Sequence, residues 1–246
     1  VLSGIVLTTY LAKYLLEKKD NYYTYRFIFV PETIGSIIYL SKHLNYLKQN
    51  VIGGYVVTCV GDEGEFTYLK TREENQLVDK ISLYVLENNC KTFKVRDYIT
   101  SGSDERQYNY PGVDLNIGSL MKTKYHEFPE YHTSADNFDY VTEKGLNESL
   151  DMYKKCIDLL EINHYYKTTT ICEPQLGKYG LYNLTGGSPD TYQNETISGH
   201  LISKVLKYCD GKYDLIDISN KLNIKIDICN TIINKLLENN LIKLYI

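Results

Sequence analysis

The chain has 246 residues, 43% of them hydrophobic and 24% charged, with a formal net charge of −4. That size and balance fit a globular protein with room for one large domain or for a medium and a small one. The acidic balance excludes a broad basic field for nucleic-acid capture, and no apolar run has the length of a membrane span.

From the N-terminus, Leu2, Ile5, Val6, Tyr10, Leu11 and Leu15 recur at roughly helical spacing and predict a helix over about 3–18. The chain enters this helix without an initiator Met or a cap, so the expectation is the later part of a longer polypeptide. "TYRFIFV" predicts a buried strand that ends at "PETIGS", where Pro31 blocks ladder pairing. A helix follows through "SIIYLSKHLNYLKQN", then a second buried strand in "VIGGYVVTCV" and the polar turn "GDEGEF". A helix over about 73–89 and a strand in "TFKVRDY" come next. The loop "ITSGSDERQYNYPG", the apolar run "VDLNIGSLM" and the loop "YHTSAD" precede a long helix, "TEKGLNESLDMYKKCIDLLEINHYY". Alternation of this kind predicts an α/β domain over residues 1–178, with a mostly parallel sheet flanked by helices.

Beyond about residue 168, "TTTICEPQLGKYGLYNLTGGSPDTYQNE" predicts a closing strand and a linker over 179–194. Residues 195–246 then carry three helical patterns and the short strand "LIKLYI", the pattern of a winged helix. The third of these helices, "KIDICNTIINKLLENN", has few cations and as many acids, which argues against DNA reading and for docking to a partner or a second copy.

The six cysteines, Cys59, Cys90, Cys156, Cys172, Cys209 and Cys229, form no CxxC pair. Reduced thiols in a cytoplasmic protein are expected, and the first residues lack the basic start and cleavage site of a signal peptide.

In a parallel sheet, chemistry gathers in loops beyond the carboxyl ends of the strands. Glu32 follows the first predicted strand, Asp62 and Glu63 the second, Asp104 and Glu105 the third, and His132 lies in the next loop. Carboxylates with one imidazole make a feasible zinc donor set. Each also has a structural reading: Glu32 complements a helix dipole, and Thr133 or Ser134 in "YHTSAD" offers a cap. His43, His126, His164 and His200 have no acidic constellation beside them in the sequence. No P-loop, GxSxG or HExxH motif occurs.

Four stretches, "DNYYTYRFIFVPETIGSIIYL", "VIGGYVVTCVGDEG", "SGSDERQYNYPGVDLNIGSLM" and "EFPEYHTSADNFDYV", resemble a bacterial family of zinc-aminopeptidase-like proteins. The family is a branch of the M28 clan, is associated with polysaccharide biosynthesis and carries a C-terminal winged helix. The resemblance implies one zinc, with His132 as a ligand and Asp62 as its second candidate, because Cys59 stands where a carboxylate is expected. It implies Glu32 as the general base, and Asp104, Glu105 and Tyr131 as substrate contacts. The activity implied is attack of metal-activated water on a peptide or amide bond of a small peptide or an aminoacyl or acylated substrate. The alternative it leaves is a catalytically degenerate binding module in surface-polysaccharide biosynthesis.

Overall fold

The computed structural model describes residues 2–182 and 197–245, and the chain divides into two compact units, Val1–Leu160 and Glu161–Ile246. The linker expected over 179–194 lies outside the described residues beyond Tyr182.

The first unit begins with α1, Leu2–Glu17, whose inner face is Ser3, Gly4, Leu7, Leu11 and Leu15. Gly4 is required there, since a Cβ would stand 2.1 Å from the carbonyl oxygen of Val57. After α2 (Ile34–Asn50) come β1 (Gly54–Tyr55), β2 (Thr67–Leu69), α3 (Leu77–Asn89), β3 (Lys94–Arg96), α4 (Glu105–Tyr108), β4 (Ile117–Met121) and α5 (Glu143–Ile162). The sheet runs β1-β4-β2-β3; its two outer pairings are parallel and the central β2–β4 pairing is antiparallel. The unit is therefore α/β, with a mixed sheet and flanking helices.

The two central strands are buried along their whole length, which places the core of the sheet at Tyr68, Leu69, Leu120 and Met121. One charge that this core admits is well partnered. Asp79, in the first turn of α3, accepts bonds from the Tyr68 hydroxyl, the Thr71 amide and hydroxyl, and the Gln76 amide. Together with Gln76 it forms a capping box, which starts α3 later than the charged run beginning near residue 73 implied.

Two readings from periodicity differ from the structure. Residues 24–30 join neither sheet, although Phe27 and Phe29 alternate outward while Ile28 and Val30 turn inward. The long helix ends at Ile162, and Tyr165–Thr168 form a strand, β5. Its aromatic and β-branched residues favour a strand once Asn163 and His164 have broken the helix.

The second unit surrounds β5 with α6 (Gly199–Tyr208), β6 (Asp210–Asp214), α7 (Leu215–Leu222), α8 (Ile226–Glu238) and β7 (Ile242–Tyr245). The sheet order is β6-β5-β7, antiparallel throughout. Val205, Leu215, Ile218, Cys229, Ile232, Ile233 and Leu236 fill the core between helices and sheet. Asn163 ties the start of this unit to α7, donating to Asp214 Oδ2 at 3.1 Å and accepting from the Ile216 amide at 3.0 Å. This is a small helical domain with a three-stranded wing. Among the described residues, no helix is long and apolar enough to cross a membrane.

Candidate functional site

Two loops that are distant in sequence meet in the first unit. One is the turn Pro31–Glu32–Thr33 leading into α2; the other is "SGSDER", leading into α4. Gly35 lets the first turn close, because a Cβ there would stand 2.7 Å from Val30 Cβ and 2.8 Å from Pro31 Cδ. Thr33 takes φ 61° and ψ −68°, a costly conformation for a β-branched residue. It is held by three contacts across the junction. The Thr33 amide donates to Asp104 Oδ1 at 2.7 Å, Arg106 Nη2 donates to Thr33 Oγ1 at 3.1 Å, and Ser103 Oγ donates to Glu32 Oε1 at 2.9 Å.

Below this junction Glu105 is completely buried. Its Oε1 accepts the amides of Gly102 and Ser103, both at 3.1 Å, and a short bond from the Tyr125 hydroxyl. Its Oε2 is buried without a partner among the described residues. The Gly102 amide also donates to the Tyr125 hydroxyl at 2.6 Å, and a Cβ on Gly102 would stand 2.8 Å from the Tyr125 ring. Burial first, and the neighbouring Glu105 second, push the Tyr125 phenol far above its ordinary value. Burial likewise raises the Asp104 carboxyl, with Glu32 and Glu105 adding to the effect and the Thr33 amide opposing it.

Tyr131 lies against the buried cluster of Cys59, Leu69, Met121 and Tyr125. Its phenol is raised by burial and then by the fields of Cys59, Glu32 and Glu105. Burial also raises the Cys59 thiol. The structure thus brings Glu32, Asp104, Glu105 and Tyr131 into one neighbourhood. Sequence reasoning missed Ser103, Arg106 and Tyr125; the only signal for Tyr125 was the glycine in "SGSDE" that its ring requires.

Asp62 belongs elsewhere. It is buried, with Oδ1 accepting from the Gly64 amide at 2.8 Å and the Thr123 hydroxyl at 2.7 Å, and Oδ2 from the Thr123 amide at 3.2 Å. It lines an open pocket of about 480 Å³ together with Glu63, Glu127, Glu130, Asp139 and Tyr140. His132 is exposed at φ 59°, its ring stacked on Tyr131 with centroids 3.9 Å apart.

These placements overturn the expected zinc. Among the described residues, no group of three or more His, Cys, Asp or Glu could hold a metal ion. The local reasons are plain: Asp62 is committed to Thr123 and Gly64, Cys59 is a buried thiol, and the exposed His132 stacks on the Tyr131 ring.

Residues 1–163 match a family described as "Domain of unknown function (DUF4910)". The chain belongs to this family. Residues 163–244 match a family described as winged helix-turn-helix, which agrees with the domain seen after residue 161. A Clostridium acetobutylicum protein is 43% identical over 221 residues, 89% of this chain and 49% of its own length. Its name assigns it provisionally to polysaccharide biosynthesis, with an aminopeptidase-like domain. A crystal structure from the same organism, described provisionally as a peptidase, superposes with a TM-score of 0.82 at 38% identity. That match covers 99% of this chain and 53% of the other. This DUF4910 chain therefore spans about half the length of the relatives it matches. The resemblance read from its motifs stands: an aminopeptidase-like, M28-related domain fused to a C-terminal winged helix.

Proposed function

We propose that this chain is a peptidase-like binding module of surface-polysaccharide biosynthesis that holds a small peptide, aminoacyl or acylated ligand without hydrolysing it. The observation that carries the reading is how the carboxylates are used. Asp62 spends both oxygens on amides and a hydroxyl of its own fold, and Glu105 is completely buried with Oε1 held by two amides and the Tyr125 hydroxyl, so neither is placed to activate a water in the open cleft. Glu32 differs: it is exposed, and it is anchored through one oxygen only, by Ser103. In this reading Glu32 is the acceptor for an N–H or O–H of the ligand, Asp104 and Glu105 hold the loop that presents it, and Tyr131 offers a ring face.

The winged helix serves docking in this proposal. The outer stripe of α8 is Asp227, Thr231, Asn234 and Glu238, which carries two negative charges and no cation towards a phosphate backbone. A reducing, cytoplasmic setting fits the six cysteines, all of which are free.

The test measures binding and turnover together. Alanine amide, its N-acetylated form and an N-acetylated hexosamine are titrated against wild type and Glu32→Gln, with product release followed by chromatography. The expected result is saturable binding of at least one of them, weakened about tenfold in the variant, as loss of one hydrogen bond to a charged acceptor implies, and no product. Product formation that disappears in Glu32→Gln would make the site catalytic, and absence of binding by all three would end the proposal.

A further inference from the structure

The Thr33 turn carries two opposite charges that do not meet. Glu32 belongs to the turn itself, and one of its oxygens accepts the Ser103 hydroxyl at 2.9 Å. Arg106 comes from α4, and its Nη2 donates to Thr33 Oγ1 at 3.1 Å. Both side chains are exposed. Opposite charges tied to neighbouring residues of one turn commonly close into a surface ion pair, a contact that contributes up to about 1 kcal/mol. Here Glu32 and Arg106 pair neither with each other nor with any other charge among the described residues. The other exposed end of the junction offers no substitute, because Asp104 gives its Oδ1 to the Thr33 amide at 2.7 Å. The bonds from Ser103 and to Thr33 Oγ1 hold the two charges apart, and the bond to Asp104 fixes the turn between them. Each group keeps unused capacity: Glu32 has a second oxygen without a partner among the described residues, and the guanidinium has donated only through Nη2.

We propose that Glu32 and Arg106 together receive a small zwitterion, a free amino acid or a dipeptide, whose ammonium group donates to Glu32 and whose carboxylate is held by Arg106. The pairing rests on Glu32 acting as the ligand acceptor, as proposed above, and it narrows the ligand. An aminoacyl or acylated group lacks the free carboxylate that Arg106 would meet. The planar guanidinium fork matches a carboxylate in two parallel bonds, which a single ammonium charge cannot do. A ligand with one charge would leave the opposite member of the pair without a partner, and a neutral ligand would leave both. Complementary charge of this kind selects the partner and fixes its orientation. Length is restricted as well. Both groups are anchored at adjacent residues of one turn, so the site suits charges a few bonds apart and not the two ends of a long peptide.

The test titrates alanine, alanylalanine and the C-terminal amide of each into the 246-residue chain at neutral pH, for wild type, Arg106→Gln and Glu32→Gln. At least one acid is expected to bind wild type about tenfold more tightly than its own amide, the ratio that one charge-assisted contact implies. Arg106→Gln should erase that preference and leave the amide's affinity unchanged, since glutamine keeps an N–H for Thr33 Oγ1. Glu32→Gln should weaken acid and amide in equal proportion. The ratio of acid to amide is read within each protein, so a general loss of folded material does not move it. Equal affinity for acid and amide in wild type, or a preference that survives in Arg106→Gln, would overturn the role of Arg106 and leave that of Glu32 standing on the amide alone. Amide binding that is indifferent to Glu32→Gln, or no binding by any of the compounds, would remove the Glu32 reading and the zwitterion site with it.

Discussion

Helix α8 in the second unit and helix α1 in the first have similar lengths and opposite economies of surface. α8 buries Cys229, Ile232, Ile233 and Leu236 and gives solvent Asp227, Thr231, Asn234 and Glu238. α1 buries Leu7, Leu11 and Leu15 and gives solvent Leu2, Ile5, Val6, Tyr10 and Leu16. Periodicity finds an inner face only when the opposite face is polar, as it is in α8. In α1 and α2 apolar residues stand on the outer as well as the inner side, and among the described residues only the inner side is covered.

The sharpest way to break that comparison is to remove apolar atoms from each region. Ile232→Ala in α8, where the side chain is completely buried, is expected to cost about 2–5 kcal/mol from lost transfer energy and the cavity left behind. Phe29→Ala, which removes more atoms from an exposed position, is expected to stay within about 0.5 kcal/mol in the isolated chain. Urea unfolding of both variants decides it, with equal costs counting against the distinction between a closed and an open region.

The legibility of the fold follows the same line. The second unit could be read because its helices are amphipathic, and "DLID" even announces its capping box: Asp214 and Asp217 each accept the other's amide. The mixed sheet of the first unit was harder, because β1 has two residues and β2 three, too short for any alternation to register. For the site, the two loops carrying Glu32 and "SGSDER" do meet, although residues 24–30 are not the sheet strand expected before Glu32. The fate of Asp62 was not readable, since its partner Thr123 stands 61 residues away in an unremarkable stretch. Tyr125 was invisible for a different reason: one tyrosine among 25 gives no signal until its hydroxyl is seen on a buried carboxylate.

A second comparison lies within the candidate site, between the buried Glu105 and the exposed Glu32. If the Glu105 network is a structural floor, Tyr125→Phe should destabilise the protein by about 1–3 kcal/mol, because a buried carboxylate oxygen and the Gly102 amide each lose a partner. Glu32→Gln, at an exposed position whose bond from Ser103 the amide oxygen can still accept, should leave stability within about 0.5 kcal/mol. Thermal melts of the two variants measure this directly. A destabilisation by Glu32→Gln as large as that by Tyr125→Phe would mean that Glu32 is part of the floor and is not available to a ligand.

The smallest effect is expected from Asp104, which stands between those two carboxylates and should show itself through pH. Its carboxyl is raised by burial and by the adjacent charges of Glu32 and Glu105. The folded protein therefore holds this proton at a pH where the unfolded chain, near the ordinary Asp value of ~3.9, has released it. In that window the native state binds more protons than the unfolded state, so stability falls as pH rises through it, and above the folded value the penalty is complete. Asp104→Asn removes the titration but keeps an oxygen to accept the Thr33 amide, which Asp104 Oδ1 receives at 2.7 Å. The variant should therefore gain on wild type as pH rises from the ordinary Asp range towards neutrality, and the gap should close again on acidification. Melting temperatures of both proteins across that range provide the check. A variant that loses ground as pH rises would mean that ionised Asp104 is stabilised by its contacts with the Thr33 turn more than it is opposed by burial and its two acidic neighbours.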